Sequence, residues 1–228
     1  MKTTCLFFLL MLFQSFSFGS TTDFGNGGNI ILCTMKNELA QATFYDVYES
    51  EVRYSLPVQF PRAGACQLNA DGTYSENCKI AAQKMASNIA SRLKKIDAAF
   101  EATIQSYIRD FWADTGLVNA DLFPIADTGL GFIPQNCSLK QLAIQHVPRN
   151  KNDKRYYVAT NLLRLLDVQN QAAMILHEVF YHWALTQSPG IQYSERVRYF
   201  NALVLSGRVT QLSYPEYVQE KAQLVSSD

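Results

Sequence analysis

The chain has 228 residues, with 20 basic against 20 acidic side chains and 48% hydrophobic residues. Having no net charge, it carries no global basic field to draw it to nucleic acid or to an anionic membrane surface. The length suits one well-buried domain.

The first residues run from Lys2 through an apolar stretch, Cys5 to Phe18, interrupted by Gln14, Ser15 and Ser17, to Gly19 and Ser20. A basic start, a brief apolar core and small residues near its end predict a signal peptide, 1–19, and export to the periplasm or beyond the cell. Past it, nothing approaches the ~18 unbroken apolar residues of a membrane-spanning helix. The expected mature chain is a single α+β domain, 20–228, of long helices packed with a small antiparallel sheet or hairpin. The 114–138 loop would divide it into subdomains 20–113 and 139–228. Four cysteines remain, Cys33, Cys66, Cys78 and Cys137. An even number in an exported chain predicts two disulfides, with three pairings open. The short loop favours Cys66–Cys78, which leaves Cys33–Cys137. The spacing contains no C-x-x-C pair, so it argues against a cysteine zinc site.

In chain order, Thr21 to Gly28 is turn-rich, and its glycines allow unusual backbone angles or close approach to another group. Asn29 to Thr34 reads as a short buried strand. Gln41 to Val58 mixes aromatic, β-branched and acidic residues, fitting a strand or a short helix. Asp71-Gly72 marks a turn. Ser75 to Ala113 repeats apolar residues every three to five positions, as two helices or one bent helix, with Ser75 as N-cap and Gly116 past its end. Leu117 to Ser138, with two prolines and two glycines, reads as an irregular loop. Leu139 to Val147 and Tyr156 to Leu166 form a hairpin, the second strand running into a helical turn.

Asp167 to Gln187 is the strongest helical segment. Ala172, Ile175, Leu176, Val179, Phe180 and Trp183 make one apolar stripe at about 100° per residue. His177 and Tyr181 flank it on one side, Glu178 and His182 on the more polar other side. Asp167 or Asn170 caps this helix, and Ser188-Pro189-Gly190 ends it. Ser194 caps a last long helix with Val197, Phe200, Leu203 and Val204 inward and Gly207 as terminator. The tail from Ser213 is polar, with a short surface helix.

His177-Glu178 on a helix behind a hairpin invites comparison with His-Glu-x-x-His metallopeptidases, in which the glutamate activates a zinc-bound water. Here Tyr181 stands at the second ligand position and His182 falls one residue late, about 140° around the helix from His177. Zinc would then need His177, Tyr181 and His146 from the hairpin, with Glu178 as catalytic base. The competing reading is a buried polar network in which His177, Glu178 and His182 are satisfied by Arg196 or Arg198. Paired carboxylates such as Asp46 and Glu49 offer acid–base chemistry in principle, and Tyr45, Tyr48 and Tyr54 offer a contact surface.

Several short motifs carry a resemblance. They are Gly25-Asn26-Gly27-Gly28-Asn29 ahead of Cys33, Tyr45-Asp46-x-Tyr48-Glu49, Gln171-Ala172-Ala173 before His177-Glu178-x-x-Tyr181, and Ser194-x-x-Val197-Arg198. Together they resemble an uncharacterised family of exported proteins from predatory and related Gram-negative bacteria, with Asn29 where that family has aspartate. The resemblance implies that Tyr181, rather than His182, belongs to the pattern, and it implies no activity. The expected function is a non-catalytic envelope or extracellular binding or structural module, its partner in that compartment and not nucleic acid. The alternative is a zincin-like hydrolase.

Overall fold

The computed structural model describes residues 24–26, 28–34, 41–62, 74–191 and 193–226. The expected signal peptide, the Asp71-Gly72 turn and Cys66 lie outside them.

The molecule is α+β, as the sequence indicates. The strands are β1 (Phe24–Asn26), β2 (Asn29–Cys33), β3 (Gln41–Phe44), β4 (Thr115–Val118), β5 (Cys137–Gln141), β6 (Ala143–His146) and β7 (Tyr156–Ala159). They form a three-stranded antiparallel sheet, β3-β2-β5, and a four-stranded sheet, β1-β6-β7-β4, in which only the β7–β4 pair is parallel. Residues on either side of Gly28 pass from one sheet to the other, and so do those on either side of Leu142. At this crossing the Gly28 carbonyl accepts both the Leu142 and the Ala143 N–H, at 3.0 and 3.1 Å. Two residues therefore face one, as in a β-bulge, and the ribbon bends there.

The helices are α1 (Tyr45–Val52), α2 (Glu76–Ala90), α3 (Ala98–Asp110), α4 (Thr160–Leu163), α5 (Val168–Gln187), α6 (Glu195–Leu205) and α7 (Tyr214–Gln223). The segment from Gln41 to Val58 is both of its readings in succession, β3 and then α1. The long repeat after Ser75 is two helices, separated by a 3-10 turn at Ser91–Leu93. Ser75 caps the first through the Cys78 N–H, and Asp97 caps the second through the Phe100 N–H at 2.9 Å. Gly116 does not terminate this repeat but sits inside β4. The Tyr157 ring of β7 stands 3.0 Å from where a Gly116 Cβ would be, so a side chain here would require the ring to shift by a few tenths of an ångström. Gly207 ends α6 in the left-handed conformation, φ 75°, which favours glycine.

Helix α5 is the hub, packing against α1, α2, α3, α6 and β3. Its N-terminus is set by the Asp167 carboxylate, which accepts the Asn170 N–H at 2.8 Å. Asn170 Oδ1 in turn accepts the Phe44 N–H, tying β3 to the helix start. One apolar stripe underestimates its burial. Both flanks are enclosed, and His177, Glu178, Tyr181 and His182 are all buried. Trp183 lies at the rim, partly buried against Phe100 and Lys221, while Phe180 takes the centre. One buried core contains residues from before and after the 114–138 segment. Cys33 and Cys137, directly opposed on β2 and β5, form a disulfide. Cys78 is also disulfide-bonded.

Candidate functional site

Helices α1 and α6 meet through two matched pairs. Asp46 and Glu49 are three apart on α1, as are Arg198 and Asn201 on α6, a spacing that puts each pair on one helical face. Asn201 Nδ2 donates to Asp46 Oδ2 at 2.7 Å, and Arg198 Nε donates to Glu49 Oε2 at 2.6 Å. The numbering runs in opposite directions along the two helices, so they cross antiparallel here. All four side chains are buried.

His177 of α5 joins this seam. Its Nδ1 lies 2.8 Å from Asp46 Oδ2, and its ring stands edge-on to Phe44 with centroids 5.7 Å apart. Burial alone would lower the imidazolium pKa, but the Asp46 carboxylate overcomes that and raises it above the ordinary value. Arg198 is held the same way. Burial lowers its pKa, the carboxylates of Asp127 and Glu49 raise it, and the result stays above the ordinary value. Burial pushes the Glu49 carboxyl up, against the pull of Arg198.

Glu178 faces the sheet crossing rather than Arg198. Its Oε1 accepts the Gly28 N–H at 2.6 Å, and its backbone carbonyl accepts Gln145 Nε2 of β6, also at 2.6 Å. Burial raises its carboxyl pKa, with His177 and the Gly28 N–H opposing. Gly28 has no space for a side chain, because a Cβ there would stand 2.4 Å from Cε2 of Phe44. The glycine thus lets the backbone come close enough to bind the carboxylate. His177 Nε2, Asp46 Oδ1, Glu178 Oε2, Gln145 Oε1 and Asn201 Oδ1 are buried without a hydrogen-bond partner. All five belong to side chains of this seam or of the sheet crossing beside it, where part of their desolvation cost is unmet.

The remaining sequence-derived residues separate. Tyr181 stays beside His177, with ring centroids 6.3 Å apart, and its hydroxyl donates to the Ile191 carbonyl. His182 belongs to a different cluster. Its Nδ1 lies 3.0 Å from the Tyr156 hydroxyl, and its ring stacks on Tyr107 at 4.1 Å. Burial, helped by Arg155, lowers its pKa to about 3, so it is neutral. His146 packs beside Tyr157, and Arg196 reaches out to Gln223 of α7 at 2.9 Å. Of the two arginines only Arg198 enters the seam, and it pairs with Glu49 and Asp127, not with Glu178 or the histidines. Of the tyrosines, Tyr45 is buried against Arg198, whereas Tyr54 packs on Tyr199.

Asn201, Gln145 and Asp127 escape sequence reasoning. Asp46 and Glu49 are visible only as a carboxylate pair of the kind any helix surface supplies. The available signal is Arg198-x-x-Asn201, whose spacing matches Asp46-x-x-Glu49. Among the described residues, no three His, Cys, Asp or Glu side chains converge as metal ligands, and no helix is long and apolar enough to cross a membrane. Comparison with protein families, with characterised proteins and with solved structures finds no match to this chain.

Proposed function

We propose that the chain is an exported, non-catalytic binding module of the envelope or extracellular space, with the His177–Glu178 cluster as its internal polar core. The observation that carries this reading is the enclosure of both groups. His177 and Glu178 are 1% and 0% exposed and are bound to Asp46 and Gly28 of the protein's own frame. A general base must come within hydrogen-bond reach of the group it deprotonates, and neither side chain meets solvent. The Cys33–Cys137 bond supports export, since disulfides persist in oxidising compartments.

The second reading, a zincin-like hydrolase, is favoured by one observation. His177 Nε2 and Glu178 Oε2, the atoms such chemistry would use, have no hydrogen-bond partner. Metal analysis of the purified mature protein, followed by peptide and cell-wall hydrolysis assays on wild type and Glu178→Gln, separates the two. We expect no stoichiometric zinc and no hydrolysis that depends on Glu178. Zinc at one equivalent that is lost in His177→Ala, or hydrolysis abolished by Glu178→Gln, would overturn the binding-module reading.

A further inference from the structure

Between β4 and β5 the chain runs 18 residues, 119–136, without regular secondary structure. Irregular connections of that length in a compact domain are uncommon and are usually functional. Its middle, Asp127-Thr128-Gly129-Leu130-Gly131-Phe132, lies along the outer face of α1 and α6. The Asp127 carboxylate accepts the Ser194 N–H at 2.9 Å, the Ser194 hydroxyl at 2.7 Å, and Arg198 Nη1. The Thr128 carbonyl accepts Arg198 Nη2 at 2.8 Å, and the Gly129 carbonyl accepts Arg53 Nη1. The Gly131 N–H donates to the Tyr45 hydroxyl at 2.7 Å, and the Phe132 carbonyl accepts the Tyr48 hydroxyl at 2.9 Å.

This is the contact pattern of a bound peptide. One side chain is read by charge, and the remaining contacts go to the main chain. One position is further restricted to glycine. Gly129 has φ 64°, and a Cβ on it would stand 2.0 Å from the Glu195 carboxyl carbon, whereas a Cβ on Gly131 would meet only ordinary contacts, the nearest Tyr45 at 3.7 Å. The apolar side chains of the segment add little to the core. Leu130 is 42% and Phe132 73% exposed. Apart from the Asp127 carboxylate, which is buried against Arg198, the segment is held by polar contacts to a preformed surface, and segments with few buried apolar contacts are among the parts of a fold that open locally.

We propose that the α1–α6 face is a recognition surface for an extended peptide of the form Asp-x-Gly, and that residues 127–132 are its occupant in cis. Opening this latch exposes the Ser194 N–H and hydroxyl and both outer nitrogens of Arg198, a set of donors suited to a carboxylate. The tyrosine hydroxyls and Arg53 then read the following main chain. The inference rests on the binding-module reading and names its ligand class.

Two measurements on the full mature chain test it. In the wild type, amides of 125–133 should exchange with solvent at least about 100-fold faster than those of α5, because they open without global unfolding. A fluorescent peptide, acetyl-Ala-Asp-Thr-Gly-Leu-Gly-Phe-amide, should bind Asp127→Ala roughly tenfold or more tighter than wild type, where the tethered segment competes. Replacing its aspartate with asparagine should abolish binding. Exchange of 125–133 only together with α5 would overturn the proposal even if Asp127→Ala does not fold. So would a folded Asp127→Ala that ignores the peptide or binds both peptides alike. Neither failure would bring zinc or hydrolysis, so the binding-module reading stands or falls separately.

Discussion

Replacing Gly28 with alanine tests the sheet crossing and the seat of Glu178 together. The added Cβ would lie 2.4 and 2.5 Å from two Phe44 ring carbons, against an ordinary contact of 3.4 Å. Something must therefore move by about 1 Å, more than a packed core absorbs freely. The ring has no open side. Phe44 is fully buried, its ring packs T-shaped with His177, and its N–H is fixed by Asn170. If the glycine backbone moves instead, it stretches the 2.6 Å bond to Glu178 and the two bonds that its carbonyl accepts from Leu142 and Ala143. Overpacking costs about 1–3 kcal/mol, and a buried carboxylate losing a donor costs a similar ~1–3 kcal/mol. The expected destabilisation is thus about 1–3 kcal/mol by either route, rising towards ~6 kcal/mol where both are incurred, by urea denaturation of the disulfide-intact protein. Phe44→Leu in the same background should recover part of it, because the smaller side chain clears the Cβ. A loss below about 1 kcal/mol, or strict additivity of the two changes, would refute the close approach.

Four further outcomes follow from the same contacts. Arg198→Met should cost about 3–5 kcal/mol at neutral pH by leaving Glu49 and Asp127 buried without their cation; the loss should shrink in acid, where the Glu49 carboxyl, raised by burial, protonates, and a pH-independent loss would contradict the pairing. Glu178→Gln keeps an acceptor for the Gly28 N–H and removes a carboxyl whose pKa burial has raised. Since that raised group disfavours the fold once ionised, the variant should gain on wild type as pH rises above the ordinary carboxyl value, and match it in acid. His182 is neutral in the fold down to about 3, whereas the unfolded chain takes up its proton near the ordinary value, 6.5; His182→Gln should therefore flatten the stability loss between those limits, and parallel pH curves would count against it. Phe180→Ala should cost about 3–5 kcal/mol and Trp183→Ala clearly less, since Trp183 sits at the rim, and the reverse order in denaturant melts would misplace the helix.

What was legible in the chain was local. Ser75 and Asp167 announce helix starts by their own side chains, Gly207 announces a stop by its backbone freedom, and the hairpin leading into α5 follows from its alternation and its charged turn. Periodicity marked α5 as the most apolar helix but cannot say how many neighbours surround it, so a buried polar network and an open metal site both fitted its polar flanks. The seam was hidden for a related reason. Asp46, Glu49, Arg198 and Asn201 look like ordinary helix-surface residues until α1 and α6 are laid side by side. β4 was missed because a four-residue strand with a glycine carries almost no pattern of its own; its partner β7 defines it.

The crossing at Gly28 also has a temporal consequence. Gly28 binds Glu178, 150 residues downstream, and Asp46 binds Asn201 across 155. A chain synthesised from its N-terminus therefore completes β1 and α1 long before β6 and α6 exist. Contacts this distant in sequence slow folding, because a long loop must close before any of them forms. The apolar strand Asn29–Cys33 can pair early with β3, but its other edge stays open until β5 is made, a state prone to aggregation. Under the export proposed above, which needs an unfolded chain, the same delay would be useful. The core cannot close until helix α6 has been made.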